Sequence, residues 1–200
     1  MVEKVESSSL VEAGLAAMQA AGKPLAKKLS KGRAMLYSMP NGETVRVRTC
    51  NDHLLIVVGD RPTSDAKLNI EGTDWILMVM PEIERTPGNV VCYLLPTAEV
   101  EAEARRTHQE WLDGNPKTGG DNKTWNLWFR ADGPGKASDY ARKWQQYKLK
   151  SAPAVEQAPR SDARNGTGNV KAEVESARKR IAEAAGVPVE AIKITINFEG

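Results

Sequence analysis

The sequence predicts a mixed α/β (α+β) fold: a single mixed β-sheet flanked by helices, followed by a tethered C-terminal helix–strand module. Helical patterns alternate with strand-like runs along the first 149 residues, and elements in that order pack as layers around one sheet. The runs "HLLIVVGD", "TDWILMVM" and "NVVCYLL" are continuously apolar. Such runs are typical of strands that are buried on both faces.

The first helix is predicted to open in the serine run of residues 7–9 and to end at Gly22. Ser9 and Glu12 have the spacing of a capping box, in which two side chains hydrogen-bond backbone N–H groups at the start of a helix. An apolar stripe is expected from residues that recur at helical spacing: Val11, Leu15 and Met18.

A β-hairpin is predicted in "AMLYSMPNGETVRVRTC". Asn41-Gly42 supplies the positive φ angles of a tight turn between two strands. Because side chains alternate along a strand, Arg46 and Arg48 share one face with Thr44. The opposite face carries Val45, Val47 and Thr49.

A helix is predicted over "TAEVEAEARRTHQEWLDG", with Thr97 as its N-cap and Gly114 as its stop. His108 is expected on its surface, whereas the buried side is predicted from Val100, Ala104, Thr107 and Trp111.

The strand "KTWNLWFRA" and a short helix in "KASDYARKWQQYKL" complete the predicted domain. Along the strand, one face carries Trp125, Leu127 and Phe129, and the other carries Asn126 and Trp128. If the sheet face is open, this basic-aromatic strand is suited to stack nucleobases; the alternative is that its aromatic residues belong to the core. Trp144 and Tyr147 of the short helix are expected to be packing residues.

Three regions are predicted: an α/β domain at residues 1–149, a flexible linker at 150–170 and a helix–strand module at 171–200. The linker is rich in Pro, Ala, Ser, Asn and Gly and has almost no large apolar residue. About 30 residues cannot bury their own apolar stripe, so the module is expected to dock on the main sheet edge or on a second copy of the chain. That stripe consists of Ile192, Ile194, Ile196 and Phe198.

Charge is segregated along the chain, although the net charge is only +2. The segments 23–48 and 117–150 are basic, and the segment 71–110 is acidic. Such segregation of charge is able to make one face of the protein attractive to an anion. Cys50 and Cys92 provide neither a disulfide framework nor zinc spacing, so free thiols in a reducing compartment are expected. With no signal core and no membrane-length apolar run, the sequence predicts a soluble cytoplasmic protein that requires no cofactor.

The segments "ETVRVRTCND", "DWILMVMPE" and "NVVCYLLPTAEVEAE" together resemble the restriction-endonuclease-like, PD-(D/E)XK, fold. The resemblance covers roughly residues 34–130. In that family, one strand begins near an aspartate, and the next carries a carboxylate, any residue and a lysine. Some members then have a strand that ends in Leu-Pro before a helix, as "CYLLPTAEV" does here.

The resemblance implies a site at "VRVRT", but with Arg46 in place of the metal-binding carboxylate and Arg48 in place of the lysine. An arginine is always cationic and has no lone pair for Mg²⁺. The implied protein has therefore lost its nuclease chemistry and holds no metal. Both arginines are still able to bind phosphate in bidentate fashion.

The sequence therefore predicts a non-catalytic DNA-associated or regulatory protein of a bacterial or mobile-element kind, with double-stranded DNA as its partner. Each cation that neutralises a phosphate releases counterions, so a set of exposed cations gives salt-sensitive, sequence-tolerant binding. The alternative for the basic segment at 23–33 is an ordinary solvated connection. The predicted nucleic-acid-binding residues are Lys23, Lys27, Lys28, Lys31, Arg33, Arg46, Arg48, Lys123 and Arg130.

Two other functions remain open at the level of sequence. The first is a protein–protein assembly role without nucleic acid, in which residues 171–200 mediate homo-oligomerisation or add a strand to a partner's sheet. The second is a divalent-metal-dependent nuclease that uses Glu43, Asp52 or Asp74. Asp52 and His53, with Glu71 and Asp74 downstream, are a conceivable metal-ligand set, but their spacing is not diagnostic of a metal site. A polar strand start with a strand-capping aspartate is the preferred interpretation.

Overall fold

The computed structural model describes residues 4–28, 35–63, 65–115, 122–133 and 137–150 and, towards the C-terminus, residues 174–175, 178, 181–182 and 188–193. The chain divides into two compact units, at residues 1–157 and 158–200. The first unit contains α1 (Ser7–Ala20), β1 (Lys27–Lys28), β2 (Leu36–Ser38), β3 (Thr44–Thr49), β4 (Leu54–Val58), β5 (Trp75–Pro81), β6 (Val90–Pro96), α2 (Thr97–Gly114), β7 (Thr124–Trp128), α3 (Tyr140–Lys143) and a 3₁₀ turn (Gln145–Tyr147).

The main sheet has five strands in the order β1-β2-β3-β5-β6. Its β3 and β5 strands are parallel and the other neighbouring pairs are antiparallel. The mixed α/β fold class is therefore confirmed. The parallel register places Arg46 opposite Ile76 and Arg48 opposite Met78.

A second sheet, which the prediction of a single sheet did not include, pairs β4 antiparallel with β7. The expectation that β4 is buried on both faces is wrong. Leu55 and Val57 lie in the core, whereas Ile56 is 41% exposed and Val58 is also exposed. A two-stranded sheet that packs on one side of a core leaves its outer face to solvent, whatever the polarity of that face.

Two apolar clusters occupy the two faces of the main sheet. On one face α1 packs against β3, β5 and β6, with Val45, Val47, Leu77 and Val79 in contact. Gly14 permits a close approach of α1, because a Cβ atom there would lie 2.6 Å from Val79 Cγ2. On the other face Ile76, Met78, Tyr93 and Leu95 pack with residues of β4, β7, α2 and α3.

The predicted capping residues are wrong for both long helices. The N-cap of α1 is Glu6, and that of α2 is Pro96; neither helix has a side-chain capping hydrogen bond. Ser7 instead contacts Thr49 through their hydroxyl groups at 2.7 Å. Thr97 is buried as the first residue of α2, because β6 runs directly into that helix.

The β2–β3 hairpin, the β7 strand and the short helix α3 are confirmed. Gly42 has a φ of +88° in the hairpin turn, and Gly22 has a φ of +71° after α1. After the 3₁₀ turn the backbone returns to the edge of β6, where Leu149 N–H donates to Cys92 O at 2.9 Å and Lys148 bridges to Tyr93.

In the second unit, the described residues of the predicted helix, Val174, Glu175, Arg178, Ile181 and Ala182, are helical. Arg178 donates hydrogen bonds to the carbonyl oxygens of Val189 (3.1 Å) and Ile192 (2.9 Å). Val189–Ala191 form a 3₁₀ turn. The predicted linker beyond Lys150 lies outside the described residues. The same holds for three residues of the predicted strand, Ile194, Ile196 and Phe198. The three-region division therefore stays a prediction. No helix of the described residues is long and apolar enough to cross a membrane.

Candidate functional site

The arginines of β3 lie side by side on the face of the main sheet that is opposite α1. Alternation along the strand turns Val45 and Val47 towards α1, so Arg46 and Arg48 project on the opposite side. Their neighbours in β5 on that side are Ile76 and Met78. The two guanidinium groups therefore stand next to each other on a surface whose adjoining strand is apolar.

Neither arginine has a counter-charge in the part of the chain that the structure describes. Both side chains are half-buried, and the Nε atom of each is shielded from solvent without a hydrogen-bond partner. Burial lowers the pKa of Arg46. The pKa of Arg48 is lowered by burial and, in addition, by the positive charge of Arg46. Both effects disfavour the charged form, although guanidinium groups stay charged in proteins, so the pair is a locally unfavourable concentration of positive charge.

The predicted cations near the N-terminus do not all join this pair. Lys23 lies over the ring of Trp75, with its Nζ 5.6 Å from the ring centroid. Because Trp75 packs against the α1-side cluster, Lys23 lies on the opposite side of the sheet from the arginines. Lys27 and Lys28 form β1. The structure describes the backbone of these two lysines but not their side chains. It does not describe Lys31 or Arg33.

The predicted cations near β7 differ in their availability. Lys123 is exposed immediately before the strand. Arg130, just after it, stacks over Trp128 and is paired with Glu84 (2.8 Å) and Asp132 (3.4 Å). These carboxylates neutralise Arg130, which leaves Lys123 as the more accessible charge. The assignment of all nine residues to nucleic-acid binding stays a prediction.

The carboxylates that were considered for metal binding make local contacts. Asp52 pairs with Arg85 at 2.5 Å. Asp74 accepts hydrogen bonds from the backbone N–H and hydroxyl of Thr44, both at 2.8 Å, and these bonds lower its pKa. Among the described residues, no group of three or more His, Cys, Asp or Glu is placed to hold a metal ion.

Three further side chains of that set are also engaged in local structure. Glu43 accepts a hydrogen bond from Asn41 at 2.7 Å. His53 contacts Pro81 O through Nε2 at 2.6 Å. Glu71 accepts from the backbone N–H of Leu68 at 2.8 Å. These contacts support the interpretation of the polar residues around β3 and β4 as structural.

No protein-family model matches this chain, and no curated protein or solved structure matches it either. These comparisons leave the resemblance to the restriction-endonuclease-like fold a prediction.

Two residues of α2 lie on the opposite side of the helix surface from the one that the sequence predicts. His108 was expected on the surface, but it is only 4% exposed, and its ring stacks on Trp125 with centroids 4.2 Å apart. Trp111 was expected to be buried, but it is 37% exposed. The sequence does indicate that His108 is buried, because His108 follows Ala104 by four residues and therefore lies on the same, buried face of α2. Burial lowers the pKa of His108, against the opposing effect of its hydrogen bond to Pro62 O.

A second charged cluster joins α2 to α3 around Glu103. Its carboxylate accepts hydrogen bonds from Arg106 (2.8 Å) and Tyr140 (3.0 Å) and pairs with Lys143 (2.5 Å). Burial alone would raise the pKa of Glu103, but these three partners outweigh it and lower the pKa to about 2. All four groups are used within the cluster, which indicates a structural role.

This cluster predicts how stability changes in acid. The pKa of Glu103 falls from 4.5 in the unfolded chain to about 2 in the folded chain. Its contribution is therefore fully present above pH 4.5 and is lost as the pH falls towards 2. Urea unfolding at a series of pH values is expected to show that Glu103→Gln destabilises the protein at pH 7 and flattens the decline below pH 4.5. Glu12→Gln, at an exposed site on α1, is the matched control; an equal flattening in that variant would contradict the assignment.

Proposed function

We propose that this protein binds the phosphate backbone of DNA without cutting it, and that Arg46 and Arg48 are the central contacts. The observation that supports the proposal is the pair of adjacent, half-buried guanidinium groups, which have no carboxylate partner among the described residues. Desolvated charge is costly unless it is paired. A bound anion would supply the missing partner.

Phosphate is the anion that matches this pair best. A guanidinium group presents its N–H donors in a planar fork, and this fork matches two oxygens of a phosphate. Arginines two residues apart on a strand have side chains about 6.5 Å apart along the strand, on one face. They are therefore able to contact one phosphate together or two successive phosphates of a strand. Lys123 would add non-specific electrostatic attraction to the DNA. The N-terminal lysines would do the same where they reach the same strand of DNA.

The proposed activity is binding and not hydrolysis. Metal-dependent phosphodiester cleavage needs acidic ligands that hold a divalent cation beside the phosphate. At β3 the chain offers two cations, and the nearby Asp52 and Asp74 are engaged with Arg85 and Thr44. In terms of the resemblance, this is a nuclease-like sheet in which the catalytic strand has been converted to a phosphate-binding strand.

The test is a titration of the full chain with a 20-base-pair duplex at increasing salt. If about six cations contact phosphates, the logarithm of the binding constant falls against the logarithm of salt with a slope of about −5. Duplexes of unrelated sequence are expected to bind alike, because phosphate contacts carry no sequence information. Incubation of plasmid DNA with Mg²⁺ or Mn²⁺ is expected to leave it intact. Absence of binding at 20 mM salt, or cleavage that a chelator abolishes, would reject the proposal.

A further inference from the structure

A cavity of about 430 Å³ lies between the C-terminal half of α2 and β7. This volume falls within the range of roughly 300–1,000 Å³ that is usual for small-molecule sites. Its walls are aromatic and amide-rich, and the residues that matter here are His108, Glu110, Trp111, Trp125, Asn126 and Trp128.

The aromatic rings of this cavity are layered. His108 stacks on Trp125 at an interplanar angle of 22°, and Trp111 lies nearly parallel to His108 at 12°, with centroids 6.1 Å apart. Trp111 is also the partly exposed member of the set. A tryptophan that is open to solvent beside a parallel stack offers its indole face to another flat ring.

Two polar atoms in the walls lack partners. Glu110 Oε1 accepts a hydrogen bond from Arg106 at 2.7 Å, but its Oε2 has no partner and is shielded from solvent. The Nε1–H of Trp125, a side chain that is 98% buried, also has none. Such groups are costly to leave unsatisfied. Both atoms are shielded from solvent although the cavity is open, so a ligand in the cavity does not reach them. The amide of Asn126, by contrast, is an exposed polar group of the wall.

We infer that this cavity binds an unpaired purine base. A purine is flat and uncharged, and its edge carries both N–H donors and acceptor atoms, which complement the donor and acceptor groups of the Asn126 amide. An anionic group is disfavoured inside, because the described wall residues include the carboxylate of Glu110 and no Lys or Arg. Any phosphate of the ligand would therefore remain outside the cavity.

The inference is independent of the proposed phosphate-binding function. Guanosine carries the base without a phosphate, so its binding tests the cavity and does not depend on Arg46 and Arg48. Conversely, duplex DNA keeps its bases paired and tests the arginines. Failure of one proposal therefore leaves the other standing.

Isothermal titration of the full chain with guanosine is the experiment. Saturable binding is expected, and Trp111→Ala should weaken it about tenfold or more, since one stacked base contributes that much in comparable sites. Trp111→Phe keeps a flat ring and should retain most of the affinity. Trp75→Phe, on the α1 side of the main sheet, is the matched control and should bind like the parent. Thermal unfolding of each variant shows that it is folded.

Two sources of the base are distinguished with a guanine-containing single-stranded oligonucleotide. If it binds and loses affinity in Trp111→Ala, the ligand is a base in a single strand. If guanosine binds and the oligonucleotide does not, the ligand is a free nucleoside, which also supports the inference. No saturable guanosine binding at millimolar concentrations, equal affinity in Trp111→Ala, or binding of a disaccharide such as maltose in place of guanosine would overturn it.

Discussion

The double variant Arg46→Met/Arg48→Met is expected to lose DNA affinity and to become more stable when no DNA is present. Methionine keeps an unbranched, apolar stem beside Ile76 and Met78, and it removes two desolvated charges that repel each other. We expect a gain in the free energy of unfolding on the order of 1 kcal/mol, modest because both side chains are partly solvated. In DNA titrations the salt slope should fall by about 2, one for each phosphate contact removed.

The opposite signs of these two effects distinguish a binding site from a structural role. If the arginines supported the fold through unrecognised contacts, their removal would lower the free energy of unfolding. Arg61→Met makes the same chemical change at an exposed site and is expected to alter neither stability nor binding appreciably. Arg46→Lys/Arg48→Lys keeps the charge but loses the planar fork, so intermediate affinity without a stability gain is expected. A less stable double methionine variant with unchanged DNA binding would contradict the proposal.

Trp144→Ala is expected to destabilise the first unit by about 3–5 kcal/mol, the usual cost of removing a large buried aromatic side chain. Trp144 is only 1% exposed, and its ring lies 4.5 Å from Tyr140 and 5.7 Å from Phe129 between centroids. The helix that precedes it, α3, has only four residues and depends on this packing, because so short a helix is not stable alone.

Urea unfolding followed by circular dichroism measures this effect. Ile83→Ala, at a side chain that is 67% exposed, is the control and should change the free energy of unfolding by less than about 0.5 kcal/mol. A loss in Trp144→Ala as small as that of the control would show that the aromatic cluster of Phe129, Tyr140 and Trp144 contributes little to the core.

Local patterns in the sequence predicted the structural features that depend only on neighbouring residues, such as the face on which a side chain lies and the position of a turn. The alternation of "TVRVRT" was enough to place Arg46 and Arg48 on one face, and Asn41-Gly42 was enough to place the hairpin turn. The apolar runs of β5 and β6 predicted two strands buried on both faces, which the structure confirms.

Those local patterns did not predict which strands pair when the strands are far apart in the sequence. The run of β4 is as apolar as that of β5, yet β4 pairs with β7, about 70 residues later, in a sheet with one open face. The absence of a counter-charge near Arg46 and Arg48, within the described residues, likewise depends on where distant carboxylates fold. The cavity at Trp111 arises from the approach of α2 to β7, which no local spacing encodes.

The two edges of the main sheet bear on how this chain behaves at high concentration. An open edge strand presents unpaired N–H and C=O groups, which invite another molecule to pair and start an aggregate. At one edge the described part of β1 consists of two lysines, Lys27 and Lys28. At the other edge the backbone at Lys148 and Leu149 already occupies part of β6. Fibrous self-association by edge-to-edge growth of this sheet is therefore hindered at both ends, although its β5 and β6 strands are almost wholly apolar.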